Sequence, residues 1–396
     1  MIKGDSPFTP GKPVPLELFV GRENKLEELI HYMKQSSSGK QENVFLIGNR
    51  GIGKSSLANF LRSIAEKEAN MVGIHVFLGG VKTTEELVSH VFEKILNESR
   101  GENWFKKIQA LFGDYVRSVG LFGVSLTFEP PKDKLKGLTK NFPQALESII
   151  AEIKSDKDGL FIALDDINGL ANSSDFANWY KSFVDEVAIN FNDFPVFIML
   201  IGLPDRRDAL FHHQESLTRV FNIIEIDSLS DTEVEEFYNK AFNSVDVEID
   251  ENAMDLIKNF SGGLPVVMHE IGDAIFYINQ DDIIDVEDAL DGVFEAATRI
   301  GTKYLEPRVY STISSNLYQS ILRKIGKSMS QVFTRKEMVK ELNEKEKKVF
   351  DNFVSKLKQL GIIQTIPGMK GVYSFVNPIY PVYIQLRTLQ EEEESK

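Results

Sequence analysis

The chain has 396 residues, 42% of them hydrophobic and 26% charged, enough for two or three domains with a sizeable core. It contains no cysteine, which excludes disulfides, thiolate catalysis and cysteine-ligated zinc, and no run approaches the roughly 20 apolar residues of a membrane span. The net charge of −14 is uneven: residues 301–396 hold 16 Lys and Arg against 10 Asp and Glu, so a last quarter of +6 follows 300 residues of −20. A basic module on an acidic body points mildly toward a polyanion partner, and equally fits a solvated lysine-rich surface.

Residues 1–17 are Pro-rich and irregular and lack the apolar core of a signal peptide, so the chain reads as cytoplasmic with no membrane partner. An amphipathic helix over 24–35 and a polar loop over 36–42 lead to four apolar residues, 44–47, that suit a short buried parallel strand. Gly48, Asn49, Arg50, Gly51, Ile52, Gly53, Lys54, Ser55 and Ser56 follow, spelling G-x-x-x-x-G-K-[ST], and Leu57, Phe60, Leu61 and Ile64 then recur at helical spacing. A phosphate chain needs several backbone N–H groups aimed at one point, and glycines at 48, 51 and 53 let the backbone curl without side chains in the way. Lys54 adds a point charge for the outer phosphates, Ser55 a hydroxyl for Mg2+, and the helix its positive end. A dinucleotide site fits less well, because the next strand, 73–77, ends in Leu78, Gly79 and Gly80 with no acid to hold a ribose.

A helix over 84–99 is expected to bury Leu87, Val91 and Ile95. Residues 102–140 read as an insertion: an amphipathic helix over 104–116, a hairpin over 120–128, and a turn-rich basic stretch. Residues 159–164 form a continuous apolar run ending in Asp165 and Asp166, as a buried parallel strand would whose carboxyl end faces a ligand. Asp165 is placed to hold Mg2+, and Asp166 to orient or polarise the attacking water, the catalytic role alongside Lys54. The strand 195–201 shows no Asn, Thr or Arg directly after its apolar run. Arg219, just before the strand 220–226, suits an arginine finger or a salt-bridged structural residue. His212 and His213 are adjacent, would point about 100° apart on a helix, and are set aside as a metal pair.

From Ser228 the pattern is helical only, opened by a capping box of Ser230 with Glu233, and Gly262, Gly263, Leu264 and Pro265 mark a tight turn into a helix. Beyond about residue 304, helices near 317–328, 334–342 and 344–360 and a hairpin around Pro367 and Gly368 spell a winged helix. In the longest of these helices Phe350, Phe353, Val354, Leu357 and Leu360 share one side. Lys345, Lys348, Asn352, Ser355, Lys356 and Gln359 share the other, as a DNA-reading helix or an ordinary polar face would.

Together these features give an α/β P-loop NTPase core with a parallel sheet over 1–228, a helical lid over 229–300, a winged helix over 301–390 and a disordered acidic tail over 391–396. The phosphate loop, the Asp165–Asp166 strand, the entry segment 19–23, the lid turn and the winged helix resemble AAA+-related ATPases of the STAND and archaeal type, cousins of the origin-recognition initiators and transposition-regulator ATPases. The resemblance implies ATP or ADP bound with Mg2+ between core and lid, Val20, Gly21 and Arg22 bordering the adenine pocket, and Pro265 pressing on the nucleotide. Two departures stand out. Pro265 occupies the place of an initiator's sensor arginine, as in the STAND branch, and Asp166 is one methylene shorter than the usual Glu. The resemblance therefore implies a slow, switch-like ATPase that couples nucleotide state to double-stranded DNA through its winged helix. A signalling or defence scaffold binding itself or a protein partner is the competing reading, and a metabolic phosphotransferase has no substrate motif to support it.

Overall fold

The computed structural model describes residues 4–119, 125–366 and 368–394. The chain divides into two compact units, one of residues 22–227 and the other of residues 1–21 with 228–396.

The first unit runs α1 (Glu23–Ser37), β1 (Glu42–Ile47), α2 (Lys54–Lys67), β2 (Val72–Phe77), α3 (Thr84–Glu98), α4 (Phe105–Phe112), β3 (Val116–Val119), β4 (Ser125–Phe128), α5 (Lys132–Lys140), α6 (Phe142–Ile153), β5 (Leu160–Asp165), α7 (Ser174–Asn190), β6 (Val196–Gly202), α8 (Pro204–His213) and β7 (Asn222–Glu225). Five strands form an all-parallel sheet in the order β2-β5-β6-β1-β7. Their apolar runs are continuous because helices cover both faces: Val44, Phe45, Leu46 and Ile47 are all fully buried. Register aligns the carboxyl ends. Phe77 pairs with Asp165, Asp165 with Ile201, and Ile47 with both Gly202 and Glu225, so the loops after these strands open at one edge of the sheet.

The inserted segment follows tertiary packing more than local pattern. The helix expected over 104–116 ends at Phe112, where Gly113 turns to φ 54°. The stretch expected to be turns is instead α5, which half-buries Leu135 and Leu138 against the core. β3 and β4 pair antiparallel, and the Asn97 amide brackets Leu126 by donating to its carbonyl at 2.9 Å and accepting from its N–H at 3.0 Å. Residues 120–124 of the expected hairpin lie outside the described residues.

The second unit contains α9 (Asp231–Asn243), β8 (Glu248–Ile249), α10 (Glu251–Ser261), α11 (Pro265–Ile278), β9 (Ile283–Ile284) and α12 (Val286–Leu305), then α13 (Asn316–Gly326), β10 (Val332–Thr334), α14 (Arg335–Glu341), α15 (Glu344–Gln359), β11 (Ile363–Thr365), β12 (Val372–Phe375) and α16 (Tyr380–Glu394). Ser230 and Glu233 form the expected capping box. β8 and β9 make a two-residue parallel pair in a stretch expected to be helical only. α12 runs beyond residue 300 and continues as a π-helical turn over Glu306–Tyr310. The last three strands form an antiparallel sheet in the order β10-β12-β11; Pro367 of the expected turn lies outside the described residues.

The acidic run is a further correction. Residues 391–394 end α16, with Glu391 ion-paired to Arg323 at 3.0 Å and to Arg387 at 3.2 Å, while 395–396 lie outside the described residues. α16 seats Tyr383 where a side chain on Gly301 of α12 would come within 2.1 Å of its ring, and Ile384 where one on Gly326 of α13 would come within 2.5 Å. Those two glycines let one helix pack on both.

Residues 4–21 join this unit through Phe8, which is 3% exposed and lies against Phe237, Tyr238, Phe242 and His269. The Thr9 N–H donates to His269 Nδ1 at 3.1 Å, and burial pushes the imidazole down to about 4 against the pull of Asp273. A folded value below the unfolded one of about 6.5 means that the unfolded chain takes up a proton that the folded chain refuses. Stability should therefore fall as pH drops from about 6.5 to about 4, by up to about 3 kcal/mol from this residue alone. Denaturant titrations at pH 7, 5 and 4 should show a smaller acid loss for His269→Gln, whose amide oxygen still accepts from Thr9 but does not titrate. Equal losses in the two proteins would contradict this.

Candidate functional site

The phosphate-loop residues follow the carboxyl end of β1 and lead into α2. Gly48 is required by packing: a Cβ there would come within 2.7 Å of the Ile226 carbonyl oxygen and 3.0 Å of Ile52 Cγ2. Gly53 is required by conformation, since it caps α2 at φ 91°. No side chain caps α2, so its first N–H groups are left to whatever the loop encloses. The Lys54 ammonium folds back to donate to the carbonyls of Gly48 at 2.8 Å and Asn49 at 2.9 Å.

Burial pushes Lys54 down to about 8, Asp165 and Asp166 pull it back up, and Arg50 and Arg22 push it further down. Register sets the end of β5, with Asp165 and Asp166, at the same carboxyl edge of the sheet as the loop after β1, with β6 between the two strands. Asp165 ends β5 at 5% exposure, its Oδ2 3.0 Å from His75 Nε2 on the neighbouring β2. Asp166 is exposed and left-handed at φ 60°, a conformation that Asp and Asn tolerate better than other side chains, and its Oδ1 accepts from the Asn168 amide.

Arg22 is also left-handed, at φ 65°, and its guanidinium donates to the Ile52 carbonyl inside the phosphate loop and to the Asp227 carbonyl at 3.4 Å. The structure therefore gathers Arg22, residues 48–56, Asp165 and Asp166 in one unit. Val20, Gly21 and Pro265 belong to the other: a side chain on Gly21 would meet the Glu233 carboxylate at 2.3 Å, and Pro265 is the first residue of α11. Arg219 is exposed at the end of a 3-10 turn before the amino end of β7, the edge of the sheet opposite its own phosphate loop. Among the described residues no cluster of three or more His, Asp or Glu could hold a metal ion, the adjacent His212 and His213 included.

The other expected contact surface is on α15. Phe350, Phe353, Val354 and Leu357 are buried, while Lys345, Lys348 and Asn352 are exposed and Lys356 is half-buried. Asn352, Ser355, Lys356 and Gln359 line a groove of about 420 Å³ whose far wall is residues 312–315. That wall was not evident from the sequence, because nothing in residues 312–315 announces that they pack beside α15.

Residues 18–179 match the family model of the AAA ATPase domain. The matched segment is less than half of the chain. It holds both the phosphate loop and the Asp165–Asp166 strand, while β6 and β7 of the same sheet follow the matched residues. In fold the whole chain is similar to the Walker-type ATPase of Pyrococcus abyssi, with 17% identity, 93% of this chain and 96% of that one covered, and a TM-score of 0.51. It is also similar to the ORC2 protein of Aeropyrum pernix, solved as ADPNP–ADP complexes, with 12% identity, 98% of both chains covered and a TM-score of 0.55. No curated protein matches the sequence. Among the described residues, no helix is long and apolar enough to cross a membrane.

Proposed function

We propose that this chain is a switch ATPase of the AAA+ and STAND type that binds ATP, hydrolyses it slowly and couples its nucleotide state to DNA binding. The observation that carries this reading is the juxtaposition of Lys54, held by its own loop, with Asp165 and Asp166 at the shared carboxyl edge of the sheet. The loop N–H groups and Lys54 bind and orient the phosphates, and in doing so Lys54 exchanges two loop carbonyls for phosphate oxygens. Ser55 and Asp165 would hold Mg2+; two oxygen donors, with no wider cage among the described residues, suit an ion that keeps its waters and borrows phosphate oxygens. The ion, when bound, supplies charge neutralisation for the leaving phosphate. Asp166 orients and polarises the attacking water, with Asn168 fixing one carboxylate oxygen. Arg219, exposed on the edge away from its own loop, is proposed as an arginine finger for the nucleotide of a second copy.

Val20, Gly21 and Pro265 are proposed nucleotide contacts from the resemblance to initiator and STAND ATPases. Helices α13 to α15 with the three-stranded sheet are proposed to be a winged helix, and Lys345, Lys348, Asn352 and Lys356 to meet a duplex, the lysines at phosphates and Asn352 near base edges. Duplex binding measured over a salt series, with ATP analogue and with ADP, tests this part. Affinity should fall steeply with salt, and Lys348→Glu with Lys356→Glu should weaken it and lower the salt slope by about 2. Absence of duplex binding in both nucleotide states would contradict DNA recognition and favour a protein partner on the same face.

A further inference from the structure

β2 is an apolar edge strand, Val72, Ile74 and Val76 all buried, interrupted by one histidine. A polar ring at 7% exposure in such a strand needs a partner, and His75 has one: its Nε2 lies 3.0 Å from Asp165 Oδ2. Register explains the reach. His75 pairs with Ala163 and Phe77 with Asp165, so all four project from the same face, and the small Ala163 leaves the imidazole room to lean along the strand to the carboxylate. Phe77 stacks on the ring with centroids 4.4 Å apart and fixes its plane. A carboxylate only accepts hydrogen bonds, so Nε2 carries the hydrogen.

We propose that His75 is a positioning residue for Asp165, holding Oδ2 so that the carboxylate presents its remaining lone pairs to a divalent cation at the phosphate loop. This rests on the reading of Lys54, Ser55 and Asp165 as the site of a magnesium nucleotide. It adds to that site a residue from an edge strand whose sequence carries no motif. The arrangement is that of an outer partner orienting a metal-ligating group, and loss of such a partner lowers metal affinity by about 10- to 100-fold.

Mn2+ titrated into the full-length protein saturated with ADP, and followed by electron paramagnetic resonance, reads the effect without turnover. His75→Ala should bind Mn2+ about 10- to 100-fold more weakly while its metal-free ADP affinity stays within about twofold. His75→Gln, whose amide can reach the same oxygen, should recover most of the loss. In the unmodified protein, 15N-resolved histidine spectra should show the His75 hydrogen on Nε2, with a resonance that moves when Mg2+ joins the ADP complex. That second readout stands even if a variant does not fold. Mn2+ affinity unchanged in His75→Ala, a hydrogen on Nδ1, or a resonance indifferent to Mg2+ would each overturn the role of His75. If Lys54→Ala also leaves ADP affinity unchanged, the underlying site assignment falls with it; if Lys54→Ala loses ADP, the role of His75 alone is refuted.

Discussion

Lys54→Ala should lower ATP affinity by at least about two orders of magnitude, an effect of ~3 kcal/mol expected when one partner of a desolvated, hydrogen-bonded charge pair is removed. The ammonium is the cation that the phosphate loop supplies at its inner end, half-buried and turned back onto the loop carbonyls, and that burial pushes it down to about 8. Its hydrogen bonds within the loop go to two main-chain carbonyls, those of buried Gly48 and exposed Asn49, and circular dichroism of the variant checks that the fold is kept. Isothermal titration with ATP checks the prediction. An unchanged affinity would mean that the nucleotide, if any, sits elsewhere.

Asp166→Asn should separate binding from chemistry. Asn accepts the left-handed backbone at φ 60° as readily as Asp, so the turn survives while the negative charge that polarises water is lost. Single-turnover phosphate release should slow by about 100-fold or more, in the range of a lost general base, with ATP affinity within about twofold of the parent. A rate within a factor of a few of the parent would remove Asp166 from the reaction and leave the water to another group.

Both predictions concern residues that can be read from the sequence because the chemistry leaves so little choice. A loop that wraps phosphates needs glycine where side chains collide or φ is positive, and Lys and Ser beside it; a strand end that meets a metal needs acids after an apolar run. Other parts of the site depend on neighbours that are distant in sequence. His75 is one polar letter in an apolar strand until the sheet order sets β2 beside β5. Arg22 belongs to an entry segment, yet its guanidinium reaches the phosphate loop through the Ile52 carbonyl.

The same distinction runs through the fold. The strands of the parallel sheet and the long amphipathic helices follow from periodicity, and the capping box at Ser230 follows from local hydrogen bonding. The helix α5 does not, because Pro131, Gly137 and a run of lysines argue for turns, and burial of Leu135 and Leu138 outweighs them. Residues 4–21 look like an irregular leader to the first unit but pack with the second, where Phe8 fills the notch left by Gly272. The acidic run at 391–394 looks like a solvated tail but is the end of a helix anchored by Tyr383 and Ile384.

Amide hydrogen exchange across residues 48–56, with and without magnesium ATP, tests most directly whether a curled backbone and one ammonium grip a triphosphate. The loop and the first turn of α2 should become strongly protected on adding nucleotide in the parent protein, and Lys54→Ala should show no such change. Exchange in this segment that is indifferent to nucleotide at saturating concentration would contradict the assignment.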